Sequence, residues 1–216
     1  MREVDTMLAN TSYVGPERRT RSGALRRMFV SEMTPEEMRI AMLTDELTGL
    51  PNRRAFQERT SQPGEMFLLM DACGLKYIND TYGLAAGDAL LELVSGFLRR
   101  LASMYEGVQV FRLGGRSDEF LLVGPAAEEA ERMLAFYQLN QELARLPLYW
   151  HSWQDLAGDT WRLRGVTVTW AVGQCLASAD LALRTAKTLG EEQGTRPQRG
   201  ECPLGLHVWR AAEVLR

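Results

Sequence analysis

Residues 108–123 read VQVFRLGGRSDEFLLV, and this stretch decides the fold that the sequence predicts. Apolar residues dominate on both sides of the Gly114–Gly115 pair. Two apolar segments joined by a glycine-bearing turn are typical of a β-hairpin. The turn also carries Asp118 and Glu119, so two acidic side chains are expected at the tip of the hairpin.

The segments on either side of this hairpin alternate between helical and extended patterns. An apolar run at 66–70 follows Pro63–Gly64 and predicts a buried strand that ends in Asp71. A capping box at Thr34 predicts the start of a helix that continues to about residue 45. Further helices are predicted at 53–59, 76–82, 86–105, 126–145 and 179–190, and further strands at 161–164, 166–170 and 206–209. This order predicts an α/β (α+β) fold with a central mixed five-stranded sheet and helices on both faces.

Composition and charge exclude several classes of protein. The 216 residues are 45% hydrophobic and 25% charged, which is typical of a globular chain and not of a disordered or fibrous one. The net charge of −3 provides no overall basic field to attract nucleic acid. Three scattered cysteines and two histidines favour reduced thiols over a disulfide framework or a zinc site. No signal-peptide pattern and no apolar stretch of about 20 residues is found, so we expect a cytoplasmic protein without a membrane span.

Residues 1–30 differ from the rest of the chain. They contain Gly15–Pro16 and a group of arginines at positions 18, 19, 21, 26 and 27. Such a charge run predicts a solvated, flexible arm, and the alternative is a docking arm for a regulatory protein partner or an anionic lipid. We therefore expect one globular domain over residues 31–216, preceded by this arm.

The acidic residues at the strand ends suggest a metal site. If the strand ending in Asp71 lies beside the hairpin, its carboxylate converges with those of Asp118 and Glu119. Carboxylate oxygens suit Mg²⁺, which takes one or two of them together with substrate phosphates. The alternative, from the residues alone, is a satisfied turn and a strand-end cap.

Five motifs, in order along the chain, resemble those of the GGDEF family, the diguanylate cyclases. They are DELTGLPNRRAF at 45–56, DACGLKYIND at 71–80, GLAAGD at 83–88, FRLGGRSDEF at 111–120, and VTVT at 166–169 followed by ADLALRTAK at 179–187. The resemblance covers residues 45–190. It implies a palm-like nucleotide-cyclase fold, and a homodimer in which two GTP molecules condense to cyclic di-GMP and two pyrophosphates.

The resemblance also implies roles for individual residues. Asp71, the carbonyl of Ala72 and Asp118 would hold Mg²⁺ or Mn²⁺. Glu119 would assist the attacking hydroxyl or the second metal ion. Lys187 would neutralise the terminal phosphates, although a solvated lysine is the alternative. Asp45 and Arg53 are expected to form an ion pair.

The remaining implied residues contact the nucleotide. Asn79 and Asp88 would hydrogen-bond the guanine, unless they are only helix caps. Backbone N–H groups near Gly74 and Leu75 would hold phosphate oxygens at a helix N-terminus. The Gly114–Gly115 pair would let the backbone approach the ligand closely.

The sequence departs from the family pattern around the implied site. Arg116 and Ser117 are inserted between the glycines and the acidic pair, Cys73 replaces an aspartate, and Glu191 replaces an arginine expected near the triphosphate. Two functions therefore remain open. One is a weakly active diguanylate cyclase that binds GTP and Mg²⁺, and the other is a degenerate domain that acts through contacts with a partner, without nucleotide turnover.

Overall fold

A computed structural model describes residues 33–114, 118–125, 151–154, 157–194, 196–203 and 205–210. The predicted arm at 1–30 and the predicted helix at 126–145 lie outside these residues. Gly115 and the inserted Arg116 and Ser117 lie outside them as well.

The described residues form five helices and seven strands. The helices are α1 (Pro35–Leu43), α2 (Arg53–Glu58), α3 (Leu75–Tyr82), α4 (Leu84–Ala102) and α5 (Leu176–Glu192). The strands are β1 (Glu65–Ala72), β2 (Gln109–Arg112), β3 (Glu119–Pro125), β4 (His151–Gln154), β5 (Thr160–Arg164), β6 (Val168–Gly173) and β7 (His207–Arg210). Within the described ranges, no helix combines the length and the apolar character that crossing a membrane requires.

Local capping explains where the first two helices begin. Thr34 and Glu37 form the predicted capping box, in which each side chain bonds the other residue's backbone N–H. Asn52 caps α2 by accepting hydrogen bonds from the N–H groups of Arg54 and Ala55. Both helix starts are therefore confirmed.

The central sheet has four described strands in the order β2-β3-β1-β6, and every pairing among them is antiparallel. We expected five strands in a mixed sheet. The strands at 160–164 and 207–210 instead pair with each other, and the first of them also pairs with β4, in a separate three-stranded sheet of order β4-β5-β7. The four-residue strand β4 was not predicted from the sequence, because it is too short to show a clear periodic pattern.

Alternation along β1 divides the core into two layers. Leu68 and Met70 join the apolar cluster that includes residues of α3 and α4. Phe67 and Leu69 join the cluster on the other face, which includes residues of α1, α2 and α5. Helices thus cover both faces, as predicted, and Asp71 projects toward the same face as α5 because side chains alternate along a strand.

A buried ion pair joins the loop after α1 to the central sheet. Arg112 donates to Asp45 over 2.8 Å, with side chains only 1% and 9% exposed. The expected pair between Asp45 and Arg53 is not formed, since Arg53 donates through Nε to the carbonyl of Leu113. A parallel bridge between Asn52 and Arg112 brings β2 against this loop and explains why Arg112 is the partner.

Candidate functional site

Asp71 lies at the end of β1, is 3% exposed, and has a cation on each carboxylate oxygen. Its Oδ1 accepts a 2.6 Å hydrogen bond from Nη2 of Arg196. Its Oδ2 accepts from Nζ of Lys187, which α5 presents to this face of the sheet. The carboxylate is therefore fully engaged by two basic side chains that lie far from it in sequence.

Asp118 lies beside Asp71 immediately before β3. Its backbone carbonyl accepts from the N–H of Ala72 over 3.0 Å. The pKa of the Asp118 carboxyl is raised to about 6, first by burial and then by the charge of Asp71 and a hydrogen bond with it, while Lys187 acts in the opposite direction. The structure therefore brings the two acids together with Lys187, as the sequence predicted for neighbouring strand ends.

Glu119 and Ala72 complete the ends of the two strands. Glu119 is the direct antiparallel partner of Asp71 in the β1–β3 register, so the two side chains share a face of the sheet. Ala72 is 1% exposed and pairs with Val168 of β6. Gly114 is half-buried directly beyond β2, and its neighbour Gly115 lies outside the described residues.

Gly74 and Leu75 stand at the N-terminus of α3, where the sequence predicts phosphate binding. Gly74 has a φ of 83°, a left-handed conformation that favours glycine, and its carbonyl accepts from the N–H of Ile78. The buried Pro203 packs against it so closely that a Cβ added at Gly74 would lie 2.1 Å from Cγ of Pro203. The surface above this helix start is thus covered by a later part of the chain.

Asn79 of α3 lies beside the first turns of α4, the helix that carries Asp88. The Asn79 side chain lies against Gly87, where an added Cβ would be 1.8 Å from Oδ1 of Asn79. Asp88 is the next residue on α4, and its pKa is raised by partial desolvation and by Glu92, and lowered by Arg112. An amide and a carboxylate at adjacent positions offer both donors and acceptors to a planar ligand edge.

Arg196 is the site residue that sequence reasoning missed. It lies after α5 in a segment for which the sequence predicts neither helix nor strand, and its guanidinium donates to Asp71, Thr169 and the thiol of Cys73. Its Nε also lies 3.7 Å from Oε1 of Glu191. No local pattern in the sequence identifies Arg196 as a site residue. The nearest indication is Glu191, which stands where we expected an arginine from the family pattern.

The donor chemistry of this site suits a divalent cation held together with a phosphate ligand. Asp71 and Asp118 are adjacent carboxylates, and a cation between them would relieve the repulsion that raises the pKa of Asp118. The described residues contain no group of three or more His, Cys, Asp or Glu side chains able to hold a metal without further ligands. Two carboxylates are nevertheless enough for Mg²⁺ when phosphates supply the other oxygens.

Comparison with known proteins connects this geometry to a family. The family profile described as "Diguanylate cyclase, GGDEF domain" matches residues 42–193. Diguanylate cyclase DgcP of Pseudomonas aeruginosa is 36% identical over 124 residues, which are 53% of this chain and 18% of the relative. Diguanylate cyclase DgcZ of Escherichia coli K12 is 36% identical over 104 residues, which are 45% of this chain and 34% of the relative. The chain thus spans less than half the length of either curated relative.

Two solved structures from Pseudomonas aeruginosa share the fold. The GGDEF domain of TpbB (YfiN) matches with a TM-score of 0.52 and 27% identity, over 68% of this chain and 89% of that one. Diguanylate cyclase SiaD, solved in complex with its activator SiaC, matches with a TM-score of 0.52 and 26% identity, over 71% of this chain and 61% of that one. The palm-like cyclase fold expected from the sequence is therefore confirmed.

Proposed function

Because the chain belongs to the GGDEF family of diguanylate cyclase domains, we propose that it binds GTP with Mg²⁺ or Mn²⁺ and condenses GTP slowly to cyclic di-GMP. Membership of the family confirms the resemblance carried by the five motifs and assigns the domain to cyclic di-GMP signalling. The single observation that carries the proposal is the convergence of Asp71, Asp118 and Lys187 at the ends of β1 and β3.

Each member of this group has a role in the proposed reaction. When bound, Mg²⁺ supplies Lewis-acid chemistry that lowers the pKa of a hydroxyl group and neutralises phosphate charge. Asp71, the Ala72 carbonyl and Asp118 hold the ion, and Glu119 accepts the proton of the attacking 3′-hydroxyl. Lys187 balances the negative charge of the phosphates.

The nucleotide itself is held by two further groups of residues. Asn79 and Asp88 bind the guanine edge, where a carboxylate accepts from the N1–H and N2–H₂ donors. The N–H groups near Gly74 and Leu75 bind phosphate oxygens at the positive end of α3, and the backbone at Gly114–Gly115 lies close to the substrate. Each subunit holds one GTP, so turnover requires a homodimer in which the two nucleotides face each other.

Slow turnover follows from the departures around the carboxylates. Arg196 is paired with Asp71, the carboxylate that would bind the metal ion. Glu191, next to Arg196, places a negative charge where the family pattern has an arginine. Cys73 contributes a thiol in place of a carboxylate, and this thiol is hydrogen-bonded with Thr169 and Arg196. Misplacement of reacting groups by about 1 Å can cost around 100-fold in rate.

A second candidate function is a non-catalytic regulatory module that acts through a protein partner. The observation that favours it is the pairing of both Asp71 oxygens with basic side chains, which leaves the domain folded and charge-balanced without a metal. In this case the arginine-bearing arm at 1–30 is the segment for which we propose a partner.

Incubation of the protein with GTP and Mg²⁺ or Mn²⁺, followed by chromatography, distinguishes the two functions. We expect cyclic di-GMP from the wild-type protein and none from Asp71→Asn or Glu119→Gln. Glu106→Gln, at an exposed turn residue, removes the same charge away from the site and is the matched control. Absence of product and of any GTP-dependent rise in Tm would overturn the cyclase proposal and support the module.

A further inference from the structure

The segment that follows α5 crosses the site formed by Asp71 and the start of α3. We propose that residues 196–203, called the strap below, hold the nucleotide site closed, with Arg196 occupying the position of the metal on Asp71. The inference rests on the proposed function, because it describes how the same GTP and Mg²⁺ site is regulated. It adds an autoinhibitory contact within the chain itself.

The first part of the strap closes the metal side of the site. Arg196 donates to Oδ1 of Asp71 over 2.6 Å and also bonds Thr169 of the neighbouring strand β6. Lys187 already engages Oδ2, so no oxygen of Asp71 lacks a cationic partner. A divalent ion can reach this carboxylate only if a basic side chain moves away, and Arg196 is the one that the strap carries.

The last part of the strap closes the phosphate side. The ring of Pro203 lies against Gly74, the N-cap residue of α3, and leaves no room there even for one added carbon. Phosphate oxygens bind at a helix N-terminus because the backbone N–H groups there have no partner within the helix. Pro203 therefore packs on the Cα side of Gly74, next to the N–H groups of α3 to which a triphosphate would bind.

The middle of the strap follows the first turns of α3. The Cys202 thiol lies near the Tyr77 hydroxyl and raises the pKa of that hydroxyl. A Cβ added at Gly200 would lie 3.8 Å from Cε of Lys76, so the strap is in van der Waals range of this helix. Contacts of the strap thus extend from the Asp71 carboxylate to α3, along the proposed nucleotide site.

Both ends of the strap are tied to the fold. At one end the N–H of Arg196 donates to the carbonyl of Gly190 over 2.9 Å, and Nε lies near Glu191. Beyond the other end, β7 pairs with β5 in the three-stranded sheet. The acidic residue at position 191, unusual for the family, now has a function: it helps to hold Arg196 over Asp71.

Charge balance makes the strap a competitor of the metal-bound nucleotide. Arg196 and Lys187 each pair with one oxygen of Asp71, so a cation competes with Arg196 for this carboxylate. Opening the strap frees Oδ1 of Asp71 and moves Pro203 away from the start of α3 in one movement. A partner that binds the open strap would activate the domain.

The test compares Arg196→Gln with Arg199→Gln in the full chain. Arg199 is an exposed residue of the same strap, so its substitution removes the same charge without touching Asp71. The first readout is binding of Mn²⁺ with GTP and of Mn²⁺ alone, measured by calorimetry. We expect Arg196→Gln to bind Mn²⁺ with GTP at least about tenfold more tightly than the wild type, equivalent to about 1.4 kcal/mol. Arg199→Gln should bind like the wild type.

The second readout does not depend on a nucleotide. Cys73 is 3% exposed and its thiol accepts from Arg196, so it reports whether the strap is closed. Alkylation by N-ethylmaleimide, followed by peptide mass spectrometry, should modify Cys73 faster in Arg196→Gln than in the wild type and Arg199→Gln. Pro203→Ala, which removes the ring carbons nearest Gly74, should give a smaller change in the same direction.

The outcomes separate the strap from the proposed function. Equal binding and equal Cys73 alkylation in Arg196→Gln and Arg199→Gln would overturn the strap, whether or not the protein binds GTP. Weaker nucleotide binding by Arg196→Gln would also overturn it, because Arg196 would then be a ligand of the nucleotide. If Cys73 becomes reactive in Arg196→Gln while no variant binds GTP, the strap is supported as a cover and the proposed GTP function fails.

Discussion

The carboxylate of Asp71 accepts a 2.6 Å hydrogen bond from Nη2 of Arg196, which lies 125 positions later in the chain. This contact joins the end of a central strand to the segment beyond the last long helix, and it places a guanidinium on the carboxylate that we propose as a metal ligand. The Asp71–Arg196 contact is therefore expected to stabilise the metal-free protein and to weaken its affinity for metal-bound nucleotide.

Asp71→Asn should destabilise the metal-free protein by about 3 kcal/mol, because breaking a buried ion pair leaves charge without compensation. The side chains of Asp71, Lys187 and Arg196 are only 4%, 27% and 15% exposed, so solvent screens the two remaining cations weakly. Urea denaturation, with the slope checked for constancy, measures the change in the free energy of unfolding. An unchanged urea midpoint would show that Lys187 and Arg196 do not need the charge of Asp71 to remain stably buried.

Asp118→Asn should have the opposite effect and stabilise the metal-free protein by about 1 kcal/mol. The pKa of Asp118 is raised to about 6, first by burial and then by the charge of Asp71, which means that the fold disfavours its ionised form. A neutral amide of nearly the same shape avoids both the desolvation of a charge and this repulsion. The same denaturation experiment measures the gain, and a loss equal to that of Asp71→Asn would contradict the asymmetry between the two acids.

The sequence predicted those parts of the fold and site that depend on local signals. The caps at Thr34 and Asn52, the strand ending in Asp71 and the acidic hairpin tip are each encoded within a few residues. It did not predict Arg196, whose partner lies 125 residues away, because no periodicity specifies which loop residue returns to a strand end. For the same reason it did not predict that, among the described residues, the strands at 160–164 and 207–210 lie in a sheet separate from the central one.

The choice between two arginines shows the same limit. From the sequence we expected Arg53 to pair with Asp45, and the placement of β2 beside the loop after α1 selects Arg112 instead. Register between distant segments is a tertiary property. It follows from how strands pack on one another, and short-range patterns do not contain it.

Asp45→Asn should destabilise the protein by about 3 kcal/mol, since it removes the carboxylate that balances the buried Arg112. A matched control is Glu58→Gln, which breaks a helical ion pair with Arg54 whose side chains are 43% and 56% exposed. Exposed pairs of this kind contribute no more than about 0.5 kcal/mol. Equal losses in the two variants, measured by urea denaturation, would contradict the difference in burial.

The thiol of Cys175 should be alkylated at lower pH than an ordinary cysteine. Its pKa is lowered, first by a hydrogen bond from the Ser178 side chain and then by backbone N–H groups at the start of α5. Ser178→Ala should therefore move the midpoint of the pH–rate profile of iodoacetamide labelling upward. Ser61→Ala, at an exposed loop position, is the control, and an identical midpoint in all three proteins would rule out the assigned cause.

Asn79 and Asp88 should set the preference of the site for guanine over related bases. Inosine triphosphate lacks the 2-amino group that a carboxylate accepts from, so we expect the wild type to bind GTP about tenfold more tightly than inosine triphosphate. Asp88→Asn should remove most of this preference. Gly87→Ala should weaken the binding of both nucleotides, because its added Cβ would collide with Oδ1 of Asn79 at 1.8 Å. Competition against a fluorescent GTP analogue, carried out in the Arg196→Gln background where the strap is open, measures all three effects. A selectivity that survives Asp88→Asn would mean that the base is recognised by other residues.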